Sequence, residues 1–122
     1  MSFRKPNLIR TRLPGRRERG RWIEGGPGPD KTIRASVQPA KTGDYDQLQA
    51  NPEGRRVRAA VRIYTSEVLD VAGQGWTNGD RLIWDAGPLA GEYLVVGVAP
   101  WQSGVIPHYR YLAVLLAASE LQ

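Results

Sequence analysis

The chain has no cysteine, one histidine, one methionine and one phenylalanine in 122 residues. Without cysteine there is no disulfide framework, no zinc–thiolate site and no cysteine nucleophile, so packing or assembly must hold the fold. The single histidine, His108, excludes a multi-histidine metal centre, and a lone histidine is more often a structural hydrogen-bonder than a catalyst. No apolar run approaches the roughly 18 residues that a membrane-spanning helix needs. The N-terminus also lacks the apolar stretch of a secretory signal, because Arg4, Lys5, Arg10 and Arg12 interrupt it. These absences imply one domain, without a membrane partner, that stays where it is made.

Catalytic frames are missing as well. Ser36, Ser66 and Ser103 stand in no GxSxG or SxxK context, and Ser2 with Lys5 matches SxxK only formally. Lys31-Thr32 follows Gly25 to Asp30 without the GxxxxGK spacing that a phosphate cradle requires. Asp44 and Asp46 sit near a helix start and Asp80 and Asp85 flank a strand, so each of these acids has a structural explanation. The expectation is a non-enzymatic protein with no catalytic residue, no metal and no cofactor.

What is present is positive charge, unevenly placed. The formal charge is +5, yet residues 1–22 hold eight basic residues (Arg4, Lys5, Arg10, Arg12, Arg16, Arg17, Arg19, Arg21) against Glu18 alone, which leaves the remainder at −2. A segment so basic and so poor in apolar residues reads as an extended arm, 1–22, that orders against a partner. A solubility tail and an arm docking on nucleic acid or an acidic protein surface both fit it.

Beyond the arm the pattern is that of strands. Arg21 to Glu24 reads as a short strand before a Gly/Pro-rich loop at 25–30, too rich in these residues to continue helix or sheet. Ile33, Ala35 and Val37 alternate with polar neighbours. Asp44 to Ala50 reads as one short helix with Asp44 as N-cap and an apolar stripe of Tyr45 and Leu48, stopped by Asn51-Pro52. Val57, Ala59, Val61 and Ile63 then alternate with Arg56, Arg58 and Arg62. That basic face, with Arg55 beside it, fits either a solvated sheet surface or an interface.

Asn78-Gly79 marks a turn, and Trp76 before it caps the core or anchors a partner. Asp80 to Trp84 and Glu92 to Val98 form a hairpin whose second strand is apolar on both faces, as expected if another element or subunit covers it. Pro100-Trp101 ends that strand, and Gln102-Ser103-Gly104 turns. The run Leu112 to Ala118 suits helix or strand, and its context favours a strand that closes a small sheet into a barrel. The fold class expected is therefore all-β: a small antiparallel barrel or sandwich over 23–122 with one short helix. Val37, Leu48, Val61, Ile63, Trp84, Tyr93 and Trp101 are its candidate core.

The ordered series Ala35-Ser36-Val37-Gln38-Pro39, a helix containing Leu48, Pro52-Glu53-Gly54-Arg55-Arg56, Ile63-Tyr64-Thr65, Asp80-Arg81-Leu82-Ile83-Trp84, Gly91-Glu92-Tyr93-Leu94-Val95, Pro100-Trp101 and His108-Tyr109 resembles the head-closure, or stopper, proteins of tailed-bacteriophage necks. The resemblance spans about residues 31 to 116 and leaves out the basic arm and the Gly/Pro loop. It implies a virion protein, made in the host cytoplasm, whose copies form a ring of roughly six- or twelvefold symmetry. Its partners would be a portal or adaptor ring above, tail proteins below and packaged double-stranded DNA in the channel. On that resemblance the arm and the loops around Trp76 and Gln102 become tethers, docking elements or lumen elements. A tail terminator or another connector ring is the near alternative, and a small barrel that binds nucleic acid, suggested by the arm and Arg55, Arg56, Arg58 and Arg62, is the distant one.

Overall fold

Eight strands and one helix follow in chain order: β1 (Lys5–Arg12), β2 (Arg16–Glu18), β3 (Arg21–Ile23), β4 (Pro27–Pro39), α1 (Thr42–Gln49), β5 (Ala60–Thr65), β6 (Arg81–Trp84), β7 (Gly91–Pro100) and β8 (Tyr109–Leu115). The computed structural model describes residues 5–12, 16–23, 26–49, 57–72, 79–85, 90–100 and 108–117. Six strands form a closed antiparallel barrel in the order β1-β4-β5-β8-β7-β6, and β6 returns to β1 through pairs such as Ile9 with Leu82. Closure leaves no unpaired sheet edge in the barrel.

Alternation fills the barrel. Along β5, Val61, Ile63 and Thr65 are fully buried while Arg62 and Tyr64 stand half-buried on the outer wall. Ile9, Ile33, Ala35, Leu82, Tyr93, Val95, Tyr111 and Ala113 join Val61 and Ile63 in one interior cluster, with Val37 and Trp84 packed against it. Trp84 meets Tyr93 edge-on, with ring centroids 5.7 Å apart.

A second cluster lies outside the barrel. Leu48 of α1 packs with Val57, Ala60, Leu94, Val114 and Leu116. This explains the two-sided apolar character of β7: Tyr93 and Val95 face the interior, while Leu94 and Val96 join the cluster seeded by the chain's own helix. A neighbouring subunit is not needed to cover that part of the strand.

Residues 66–72 close one end of the barrel, with Leu69 buried in the interior cluster. Among the described residues four side chains hold the strap, Lys31 among them with its Nζ donating to the Val68 carbonyl at 3.5 Å. The Thr65 hydroxyl donates to the Arg34 carbonyl at 3.0 Å and accepts from the Glu67 amide at 3.1 Å. The Tyr111 hydroxyl accepts from the Leu69 amide at 2.9 Å and donates to the Glu67 carbonyl at 3.3 Å. The Asp80 carboxylate accepts from the Asp70 amide at 2.9 Å.

Several expectations need correction. Lys5–Arg12 belongs to the barrel as β1 rather than to a separate arm over 1–22, because Ile9 supplies a fully buried side chain and seven residue pairs bind the segment to β4. The loop expected at 25–30 is strand from Pro27 onward. Its prolines lie where the β1–β4 register shifts between Arg10 and Arg12, an irregularity that spares ladder donors a proline lacks. The helix is Thr42–Gln49 rather than 44–50, and Asp44 lies inside its first turn, reaching back to accept from the Lys41 amide at 2.9 Å. Lys41 thus takes the cap position, in the manner of a capping box. The strand expected from Val57 starts at Ala60. The hairpin between β6 and β7 and the final strand β8 form as the sequence implies.

Candidate partner interface

The arginines of residues 16–23 sit on a ribbon of their own. β2 and β3 pair only with each other, as a two-stranded sheet apart from the barrel, between β1 and β4 in the chain. Glu18 pairs with Arg21, so a two-residue turn joins them: Arg19 at φ 52° and Gly20 at φ 78°. Positive φ at both central residues suits the right-handed twist of a tight hairpin, and glycine takes it without strain. Arg17, Arg19 and Arg21 are exposed. β1 ends and β4 begins at the barrel end closed by residues 66–72, as the pairing of Arg10 with Arg81 places it, so the ribbon leaves from that end.

The strand arginines have a different fate. Arg58 is exposed. Arg62 forms a two-pronged ion pair with Asp44 of α1, its Nε at 2.6 Å from Oδ2 and its Nη2 at 2.9 Å from Oδ1, while its Nη1 donates to the Tyr64 hydroxyl at 3.3 Å. Both partners keep only 13% and 14% side-chain exposure, which raises the pair above an ordinary surface contact. The Arg62 hydrogen bonds hold the Asp44 carboxyl below the usual carboxylate range, and Asp44 in turn raises the guanidinium. Asp44→Ala removes the pair and the helix cap together. It should cost about 2 kcal/mol in a urea titration. The loss should shrink in acid, because a lowered carboxyl contributes above its unfolded value near 3.9 and ceases to contribute as pH falls through the folded one. A cost that does not change with pH would mean that the charge is irrelevant.

Beside this pair the outer wall is hollow. Cross-strand pairing sets Arg62, Leu112 and Gly97 in one row and Tyr64, Arg110 and Ala99 in the next. The register of β7 shifts between Val95 and Gly97, and the two small residues that follow leave a cavity of about 210 Å³ also bordered by Asp44 and Val98. A methyl group built on Gly97 would meet only the Leu112 Cβ, at 3.7 Å. The Arg110 side chain lines this cavity half-buried and makes no hydrogen bond or salt bridge among the described residues, acting on Asp44 only across space.

A third group of charges lies on β1, β6 and β7 and just before β6. Glu92 is shared by Arg10 and Arg81, at 3.0 and 2.8 Å. Asp80 is 2% exposed; its Oδ2 holds the Asp70 amide but its Oδ1 has no partner. Burial pushes its pKa up, and Asp70 adds to the effect after the Asp70 amide bond opposes it. A raised carboxyl contributes its stability below the unfolded value near 3.9 and loses it as pH rises through the folded value. Asp80→Asn keeps an acceptor for the Asp70 amide and removes the buried charge. It should therefore stabilise the protein by about 1 kcal/mol at pH 7 and by less toward pH 4, as read by denaturation at several pH values. A less stable variant at pH 7 would show that the carboxylate charge is favourable there.

The sequence-derived site residues divide accordingly. Arg10 enters the barrel wall, and Lys5 and Arg12 lie on β1; Arg16, Arg17, Arg19 and Arg21 share the ribbon; Arg62 joins α1. Arg4, Arg55, Arg56, Trp76, Trp101 and Gln102 lie outside the described residues. Arg110 was not singled out by sequence reasoning; the signal was a lone basic residue between two tyrosines in an apolar strand. No group of three acidic, histidine or cysteine side chains able to hold a metal occurs among the described residues, and no helix there is long and apolar enough to cross a membrane. No family model matches the chain, and no curated protein sequence matches it.

Proposed function

We propose that the protein is a structural subunit of a tailed-bacteriophage neck, forming a ring between the portal or adaptor and the tail that closes the filled head, retains its DNA and docks the tail. The observation that carries this reading is the combination of an edge-free barrel with a detached arginine-rich ribbon leaving one end of it. A closed barrel cannot associate by adding strands, so its copies must meet through side-chain surfaces and reaching elements, which suits a ring of rigid bodies. The series of residues that resembles head-closure proteins runs through β4, α1 and β5 to β8, which are five of the six barrel strands and the helix packed on them. In this reading the protein does no chemistry and is located in the virion.

Electron microscopy of the purified protein and of particles containing it tests the proposal: closed rings at the head–tail junction are the expected result. The exposed Arg17, Arg19 and Arg21 favour a second reading, a nucleic-acid-binding module. A strictly monomeric protein that binds oligonucleotides with a steep salt slope would replace the ring with that module, and rings placed beyond the tail tube's upper end would replace head closure with tail termination.

A further inference from the structure

We propose that the cavity beside Arg110 is a socket for a carboxylate side chain of a second copy of this chain; this rests on the ring reading. Three features of the wall converge there. First, the cation has no close partner among the described residues, acting on Asp44 only across space. Arg62 spends Nε, Nη1 and Nη2 on Asp44 and Tyr64, and both Asp44 oxygens are engaged, whereas the Arg110 side chain makes no hydrogen bond or salt bridge among the described residues. Arg110, Arg62 and Asp44 together leave one positive charge facing the hollow, so an anion is the group it attracts.

Second, the hollow is built from the backbone. The shifted register of β7 and the small Gly97 and Ala99 open about 210 Å³, and Gly97 itself has room for a methyl group, so no steric need for glycine explains the gap. A guanidinium presents its donors as a planar fork that matches a carboxylate in two-pronged geometry.

Third, one side of the rim is apolar. Val98 lines the same cavity and is 49% exposed. A free small acid leaves that surface wet, while a carboxylate on an aliphatic stem, backed by the surface of a folded chain, covers it. The barrel has no edge strand through which copies could pair, so a contact made by the barrel body runs through side chains, as a socket of this kind does. The chain also supplies the complementary group: Asp30, Asp46, Asp70 and Asp85 are exposed.

Sedimentation of the full chain with Arg110→Glu, Arg110→Lys and Gly97→Leu tests the socket, with the unfolding temperature of each variant checking that it folds. The wild-type protein is expected to associate, and Arg110→Glu to weaken association about tenfold or more, since a like charge replaces the attraction. Arg110→Lys should retain part of the affinity, and Gly97→Leu, which fills the hollow, should weaken association with the charge intact. Association that survives Arg110→Glu unchanged overturns the socket and leaves the ring reading standing. A folded wild-type protein that remains monomeric to about 1 mM overturns the second copy as occupant. In that case binding of an acidic neighbour from the particle, lost in Arg110→Glu, would assign the socket to a different chain.

Discussion

Tyr93→Ala should cost about 4 kcal/mol, a large share of the roughly 5–15 kcal/mol that holds a small domain folded. Tyr93 is fully buried, faces Leu82 across the β6–β7 ladder and stacks edge-on against Trp84. Removing the ring deletes a large apolar surface and an aromatic contact worth about 1 kcal/mol beyond its area. It also leaves a void that a closed barrel collapses into poorly, because every strand is fixed on both sides. Burial pushes the phenol's pKa up, so the hydroxyl remains neutral and adds no charge to the account. Urea titration of Tyr93→Ala beside Tyr93→Phe separates the ring from its hydroxyl: the phenylalanine variant should retain most of the stability. A Tyr93→Ala protein within about 1 kcal/mol of the wild type would remove this residue from the core.

The barrel's second half was legible because its strands bury one face and punctuate themselves. Val61 and Ile63 alternate with arginine and tyrosine, Gly91 restarts the chain after a glycine-rich turn, and each signal coincides with a strand boundary or a face. The first strand was not legible for a physical reason. Among the described side chains of β1 only Ile9 is fully buried, while Arg10 is exposed and shares Glu92 with Arg81. One buried isoleucine among arginines gives no period to detect, so charge count outweighed it. The Gly/Pro stretch misled in the same way, since composition cannot show that Pro27 and Pro29 fall at a register shift where missing amide donors do little harm.

The candidate interface was legible in its charge and not in its partners. The sequence put Arg56, Arg58 and Arg62 on one strand face but could not show that α1 lies over it and that Asp44 claims Arg62. Nor could it show that Arg110, outside every basic cluster, would line a cavity on the outer wall with no salt bridge among the described residues. Pairing depends on which wall the helix crosses, and that is a tertiary fact set by Leu48 packing on Val57, Leu94 and Val114. The ribbon β2–β3 is intermediate: its arginines are plain in sequence, and Arg19-Gly20 marks its turn only once φ is positive at both residues.

Gly79→Ala should destabilise by about 3 kcal/mol, more than most exchanges of one methyl group. Gly79 has φ +84°, where a side chain costs about 1 kcal/mol. The added Cβ would also lie 2.7 Å from the Ala72 nitrogen and 2.8 Å from its Cα, backbone atoms that cannot rotate away. Those atoms are pinned in turn: the Ala72 amide donates to Val95 at 2.8 Å, Asp80 donates to Asp70 at 2.8 Å, and Val95 donates to Asp80 at 3.0 Å. Relief of the clash must therefore lengthen a bond that ties the strap to the barrel, and the cost should concentrate at the closed end. Hydrogen exchange checks this directly, with faster exchange expected at Leu69, Asp70 and Ala72 and little change in the ladder between β5 and β8. Uniformly faster exchange across both regions would mean that the strap and the barrel open as one unit, so that closure of this end is part of the global fold rather than a latch upon it.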